Sequence, residues 1–327
     1  MKNLISNFPA QVSEAIQIGK NASLTIHTHP YNKVVISGLG GSGIGASIVA
    51  DYANDLMSIP LLVNKNYFIP RCVDTNTLFI ACSYSGNTEE TLQAVKLAKK
   101  SKAVIVCICS GGELATYAKK NKLPLILIPD GMPPRACLGY SMIQLLYVLH
   151  SAKLLKATFE KEIEQGLALI AQENKNIHKL AKEIAGKLLN HHIAIYTTVG
   201  YEGLAVRCRQ QLNENSKVLA WHNVIPEMTH NEIVGWKQAH PEVIPVYCYS
   251  KSDFDKNLKR LQYLKKVVKK FSPHSVDILI KGDNYWQKTL YFINLTDWIS
   301  VYLSDLNGND AIEVKVIDGL KKEMSKK

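Results

Sequence analysis

Two stretches combine residue types that can hold an anion. SYSGNTEET, residues 83–91, places Ser83, Ser85 and Thr88 around a glycine just after an apolar run. Such a loop offers hydroxyls and free backbone N–H groups, and a helix opening there adds a partial positive charge. Asn87 or Thr88 can cap that helix. The loop has no lysine and no G-x-x-x-x-G-K-[ST] pattern, so it is not a nucleotide P-loop. Neutral donors suit a sugar monophosphate bound without a metal; the alternative is an ordinary capped turn. The second stretch, GLGGSG at residues 38–43, formally fits the dinucleotide fingerprint G-x-G-x-x-G. That fingerprint wants an acid roughly 20 residues on. The corresponding run, LLVNK at 61–65, ends in Asn64 and Lys65, with no carboxylate. Lys65 leaves an NADP reading open. The other use is close backbone approach to a sugar, with Ser42 as a hydroxyl donor.

The elements that must position these loops are short apolar strands. Runs at 34–38, 77–82 and 103–109 each break into a glycine- or serine-rich loop and then into helical periodicity, at 44–52, 89–99 and 114–119. Residues 124–129 add a strand. Continuous apolar strands alternating with helices predict a parallel sheet covered on both faces. After the strongly apolar stretch 140–155 and a helical pattern over 159–189, the scheme repeats, with strands at 193–198, 243–249 and 276–281 and helical runs from 250 to 269 and over 290–306. CYSKSDFDKNLKRL resembles a degraded SYSGNTEETLQAV, and VDILIKGDNYW resembles PLILIPDGMPP, which suggests an ancient duplication. The expected fold is α/β with two units, 1–150 carrying the phosphate loop and 151–327, each a parallel sheet between helices.

Composition bounds the rest. A chain of 327 residues, 46% hydrophobic and 20% charged, fits two globular domains. No run approaches the ~18 apolar residues of a membrane span, and the polar N-terminus does not read as a signal peptide. The expectation is a soluble, cytoplasmic protein. The seven cysteines, at 72, 82, 107, 109, 137, 208 and 248, form no C-x-x-C pair and read as buried free thiols. Cys107 and Cys109, two apart on a strand, share a face. The net charge of +11 suits an anionic ligand. No zinc finger or basic stripe with interleaved aromatics points to nucleic acid.

Four motifs in order carry a family resemblance: GLGGSGIG, SYSGNTEET, PDGMPPRACLGYS and RQQLNENSKVLAWHNVIPEMTHNEIVGW. The first three are similar to the sugar isomerase (SIS) domain. The fourth, with the closing DWISVYLSDLNGNDAIEVKVIDGLK, resembles the bifunctional phosphoglucose/phosphomannose isomerases, over about residues 34–320. One departure is Asp310-Ala311 where a D-P dipeptide is expected. The resemblance implies two SIS subdomains, each an α-β-α sandwich, and a homodimer with active sites at the subunit interface. It implies interconversion of glucose 6-phosphate or mannose 6-phosphate with fructose 6-phosphate. By motif, Gly41 and Ser42 bind substrate, Ser83, Ser85 and Thr88 hold the phosphate, and Arg135 lies by the reacting carbons. Glu214 is the catalytic base, His230 opens the ring, crossing from the partner subunit, and Lys321 joins ring opening.

That assignment makes chemical sense. Isomerisation needs a base to move a proton between C2 and C1, and a partly desolvated carboxylate does this. The enediolate needs nearby positive charge, which Arg135 supplies after the stiffening pair Pro133-Pro134. Ring opening needs a proton relay, and histidine titrates in the right range. His27, His29, His191, His192, His222 and His240 read mostly as surface histidines; Glu89, Glu90 and Glu227 read as helix-start or supporting carboxylates. No clustered ligands call for zinc, so neither metal nor cofactor is expected. The rival readings are another SIS-type isomerase, or a non-catalytic sugar-phosphate sensor that could dispense with Glu214.

Overall fold

The computed structural model describes residues 1–24, 26 and 30–324; His27 and His29 lie outside the described residues. Helices α1 (Lys2–Ser6) and α2 (Phe8–Asn21) precede β1 (Lys33–Ser37), α3 (Gly40–Ala53), β2 (Leu61–Asn64), β3 (Thr77–Cys82), α4 (Glu89–Lys100), β4 (Val104–Cys109), α5 (Gly112–Lys120) and β5 (Leu125–Leu127). These strands form one parallel sheet in the order β2-β1-β3-β4-β5. Helices α6 (Leu138–Ser151) and α7 (Thr158–Leu188) lead to β6 (His192–Thr198), α8 (Glu202–Ser216), β7 (Ala220–Ile225), β8 (Val243–Tyr249), α9 (Asp255–Val268), β9 (Val276–Leu279), α10 (Tyr285–Leu306) and α11 (Lys315–Met324). The second sheet, also parallel, runs β7-β6-β8-β9.

The first four positions of the two sheets have the same order, so β3 matches β8. This agrees with the likeness of SYSGNTEET to CYSKSDFDK. The other likeness fails by position, because β9 neighbours β8 as β4 neighbours β3, whereas PLILIPDGMPP belongs to β5.

Strand alternation sorts the core into layers. Val34, Ile36, Leu78 and Ile80 face inward with Ile193, Ile195, Ile244 and Val246, around the helical layer of α3, α6, α8 and α10. Val35, Phe79, Ala81, Cys107 and Cys109 face outward under α4 and α5. Ala194, Tyr196 and Tyr247 do the same under α9. One core therefore joins both sheets through the helices between them. Six cysteines are buried free thiols and Cys72 is exposed. Among the described residues, no helix is long and apolar enough to cross a membrane.

Candidate active site

The hydroxyl loop sits between β3 and α4. Ser83 Oγ accepts from the Gly86 N–H (3.1 Å) and lies 2.9 Å from Thr88 Oγ1. Ser85 is exposed and its Oγ accepts from the Asn87 N–H. Gly86 has φ +70°, and a Cβ there would lie 1.9 Å from the Gly111 carbonyl oxygen, so the turn needs glycine. Thr88 occupies the N-cap position of α4, yet its side chain makes no capping bond. The sequence predicts a cap; the hydroxyl instead turns to Ser83. The first-turn N–H groups of α4 are thus left uncapped by a side chain, as an anion site requires. Glu89 and Glu90 lie in that first turn, as expected for helix-start carboxylates.

The glycine-rich loop joins this turn to the rest. Buried Ser42, in the first turn of α3, accepts at Oγ from the Tyr84 N–H at 3.0 Å. Gly41 lies against the segment bearing Arg135: a Cβ at position 41 would sit 2.5 Å from the Pro134 carbonyl oxygen. Pro134 opens a 3-10 turn, Pro134–Ala136, where its fixed φ suits the first position.

Arg135 is the hub. Its guanidinium is buried and donates through Nε to Asn215 Oδ1 (2.8 Å) and through Nη2 to the carbonyls of Ala311 (2.6 Å) and Ile312 (3.0 Å). Nη1 lies 3.5 Å from Glu214 Oε2, an ion pair rather than a hydrogen bond. Burial pulls the Arg135 pKa down; Glu214 and Asp310 oppose that pull and Arg207 adds to it. The group stays charged at neutral pH regardless. The Glu214 side chain is 31% exposed, so the carboxylate is partly desolvated and still reachable.

Beneath this pair lies a support that single residues in the sequence do not announce. Asn215 Nδ2 donates to Ser300 Oγ on α10, and Ser216 Oγ donates to the Ser300 carbonyl. Arg207 and Gln211 both donate to buried Asp297, whose pKa burial pushes up while Arg207 opposes. The strap 311–312 that receives Arg135 begins at the Asp310-Ala311 departure, the one sequence signal that this segment is involved. Lys217 Nζ ties the end of α8 to the strap by donating to the Glu214 and Glu313 carbonyls. A cavity of about 420 Å³ opens here, lined by Glu214, Lys217, Val218, Glu313, Val314 and Ile317 among others.

The structure therefore brings together Gly41, Ser42, Ser83, Ser85, Thr88, Arg135 and Glu214. It does not bring His230 to them within one chain. Glu214 lies in the last turn of α8, before the first residue of β7, whereas His230 follows the last, in the 3-10 turn Glu227–His230. Six strand residues at ~3.3 Å each put about 20 Å between those ends. His230 is exposed. Lys321 is exposed on α11 and pairs with Asp318 at 3.7 Å. Glu227 accepts from Asn231 Nδ2, a supporting role. His222 departs from its surface reading: it is half-buried near Glu202, and burial pulls its pKa down.

Residues 29–129 match the family described as SIS domain, and residues 177–324 match the bacterial phospho-glucose isomerase C-terminal SIS domain. The bifunctional phosphoglucose/phosphomannose isomerase of Caldicellulosiruptor bescii is 37% identical over 98% of each chain. That of Aquifex aeolicus is 32% identical over 91% of this chain and 92% of its own. Among solved structures, the C-terminal domain of glucosamine-fructose-6-phosphate aminotransferase from Francisella tularensis superposes with a TM-score of 0.75, 17% identity and coverage of 95% and 97%. Tagatose-6-phosphate ketose/aldose isomerase from Escherichia coli gives 0.70, 14%, 95% and 94%. The solved structures share the fold, and the curated relatives match across nearly the whole chain: it belongs to the bifunctional phosphoglucose/phosphomannose isomerase family.

Proposed function

We propose that this chain is a cytoplasmic aldose–ketose isomerase that interconverts glucose 6-phosphate and mannose 6-phosphate with fructose 6-phosphate. The observation that carries the reading is the pairing of Glu214 with buried Arg135, joined through Gly41 and Ser42 to the hydroxyl loop. Ser83, Ser85, Thr88 and the start of α4 hold the phosphate. Glu214 takes the C2 proton of the open-chain aldose, and the electron pair moves into a C1–C2 double bond as O1 gains a proton. The resulting cis-enediol carries developing negative charge, which Arg135 stabilises. Return of the proton to C1, with loss of the O2 proton, gives the ketose. Glucose and mannose phosphates differ only at C2, so both pass through this enediol. A sensor would need no base paired with a buried cation, so the pair favours an enzyme.

A second copy of the chain completes each site in this reading. His230 reaches the ring oxygen from the partner, and Lys321 joins that relay. Two features support the association: the distance along β7, and the exposed apolar face of α11, where Val316, Leu320 and Met324 are each more than half exposed. The two SIS-type units are residues 1–150 and 151–327.

The test is a coupled assay of fructose 6-phosphate formation from both hexose phosphates, with and without chelator. The expected result is turnover of both that survives chelation, since among the described residues no three or more His, Cys, Asp or Glu side chains come together as metal ligands. Activity that vanishes with chelator and returns with zinc contradicts the reading.

A further inference from the structure

The segment that carries His230 leaves the C-terminal end of β7 and runs through two 3-10 turns, Glu227–His230 and Glu232–Lys237, without joining a strand ladder. Two apolar anchors hold it: Met228 and Trp236 are buried with Ala194, Tyr196 and Tyr247 against the outer face of the second sheet. Its polar anchor is Glu232. Oε1 accepts from Tyr196 Oη (2.6 Å) and from Trp221 Nε1 (3.0 Å), and Oε2 accepts from Asn223 Nδ2 (2.7 Å).

The direction of each bond is forced. Trp221 Nε1 can only donate. Trp236 Nε1 can only donate too, and it donates to Tyr196 Oη at 2.9 Å, which leaves the Tyr196 hydroxyl proton for Glu232. Asn223 Oδ1 is taken by the Val224 N–H at 2.8 Å, which fixes the amide with its NH₂ toward Glu232. Three donors and no acceptor face this side chain, so the site fits a carboxylate and misfits an amide. The residues flanking His230 are pinned as well. Thr229 Oγ1 accepts from Arg260 Nη1 at 2.9 Å, and Asn231 donates to Glu227 and accepts from the Glu232 N–H. Among the described residues, no hydrogen bond or ion pair ties down the exposed His230 imidazole, so its neighbours are fixed and its ring stays available.

We propose that Glu232 is a positioning residue for ring opening: it clamps the turns to β6 and β7 and so aims His230 at the partner's site. The inference rests on the reading of His230 given above. It predicts that Glu232 acts on the same step as His230 and not on proton transfer at C2.

The test compares Glu232→Gln, His230→Ala and the double variant on glucose 6-phosphate and on a four-carbon aldose phosphate, which cannot close a ring. Dimer content and Tm are measured in parallel. Tyr196→Phe and Trp221→Phe, each removing one donor, serve if Glu232→Gln fails to fold. The expected result for Glu232→Gln is a loss of about 10- to 100-fold in kcat on the hexose phosphate. KM should change little, turnover of the four-carbon substrate should be largely spared, and the double variant should be no worse than His230→Ala. The phenylalanine variants should show smaller losses with the same substrate selectivity. A Glu232→Gln enzyme with full hexose phosphate turnover beside a crippled His230→Ala overturns this proposal alone. Equal losses on both substrates also overturn it, since they mark a merely structural residue. Full hexose phosphate turnover by His230→Ala removes the reading of His230, and this proposal with it.

Discussion

Gly41 shows how one missing side chain can set where a guanidinium lies. A Cβ there meets the Pro134 carbonyl, and the next residue is Arg135. Gly41→Ala should therefore shift the guanidinium from Glu214 and lower kcat by about 10²-fold, as expected for ångström-scale misplacement. An unchanged kcat with an intact fold would disconnect the glycine-rich loop from Arg135. The loop hydroxyls act differently. In the proposed reading Ser85 and Thr88 each donate to the substrate phosphate, a hydrogen bond to a charged group worth about 1.5–3 kcal/mol, so Ser85→Ala and Thr88→Ala should each raise KM by roughly 10- to 100-fold. Unchanged KM and unchanged inhibition by phosphate sugars would reduce the loop to a helix start. These residues were legible because they sit together in short motifs. Asn215 and Glu232 were not, because their meaning lies in partners brought by the fold: Arg135 is 80 positions from Asn215, and Tyr196 is 36 from Glu232.

At the scale of elements, α3 and α8 form the frame. The start of α3 touches the Arg135 segment beside the end of α8, and near its own end Asp51 accepts from the Gly203 N–H at the start of α8, at 2.7 Å. The helices therefore run antiparallel. Burial pushes the Asp51 pKa up to about 6 from 3.8; Glu202 and Asp55 push the same way, while the Gly203 bond and Lys65 oppose. The folded state holds this proton more tightly than the unfolded chain does. The stability it contributes is present in full below pH 4 and is lost as pH rises towards 6. Asp51→Asn should relieve a penalty of up to about 3 kcal/mol at pH 7 and only about 0.5 kcal/mol at pH 4, read as a Tm difference between variant and parent that grows with pH. A difference that stays flat would refute this account of Asp51. The sequence showed these elements unevenly. Central strands read cleanly because both faces are buried. Strand β7, AWHNVI, lies at a sheet edge with its polar residues half-exposed, and it carried no strand signal. Helix α3 begins at Gly40 through GGSG, against helix propensity, because small residues let it approach the Arg135 turn and α6. Helix α10 begins at Tyr285, five residues before its apolar run, and the capping box of Asn284 and Gln287 was the available cue. Helix α11 buries none of its residues within the chain, so a single chain gives its pattern no core to face.

For the whole molecule, one chain brings the Ser83–Thr88 turn, Arg135 and Glu214 together, while His230 lies across β7 from them. The account therefore predicts a site made from two copies. Glucose 6-phosphate carrying deuterium at C2 tests both the base and the sharing. Neither Glu214→Gln nor His230→Ala homodimers should form fructose 6-phosphate at more than about 10⁻² to 10⁻⁴ of the normal rate, and Glu214→Gln should keep the label. In heterodimers of the two variants, one of the two sites draws a sound Glu214 from one chain and a sound His230 from the other. Those heterodimers should regain both product formation and loss of deuterium to solvent. Deuterium loss at the normal rate from Glu214→Gln alone, or no recovery in heterodimers shown to have formed, contradicts the account.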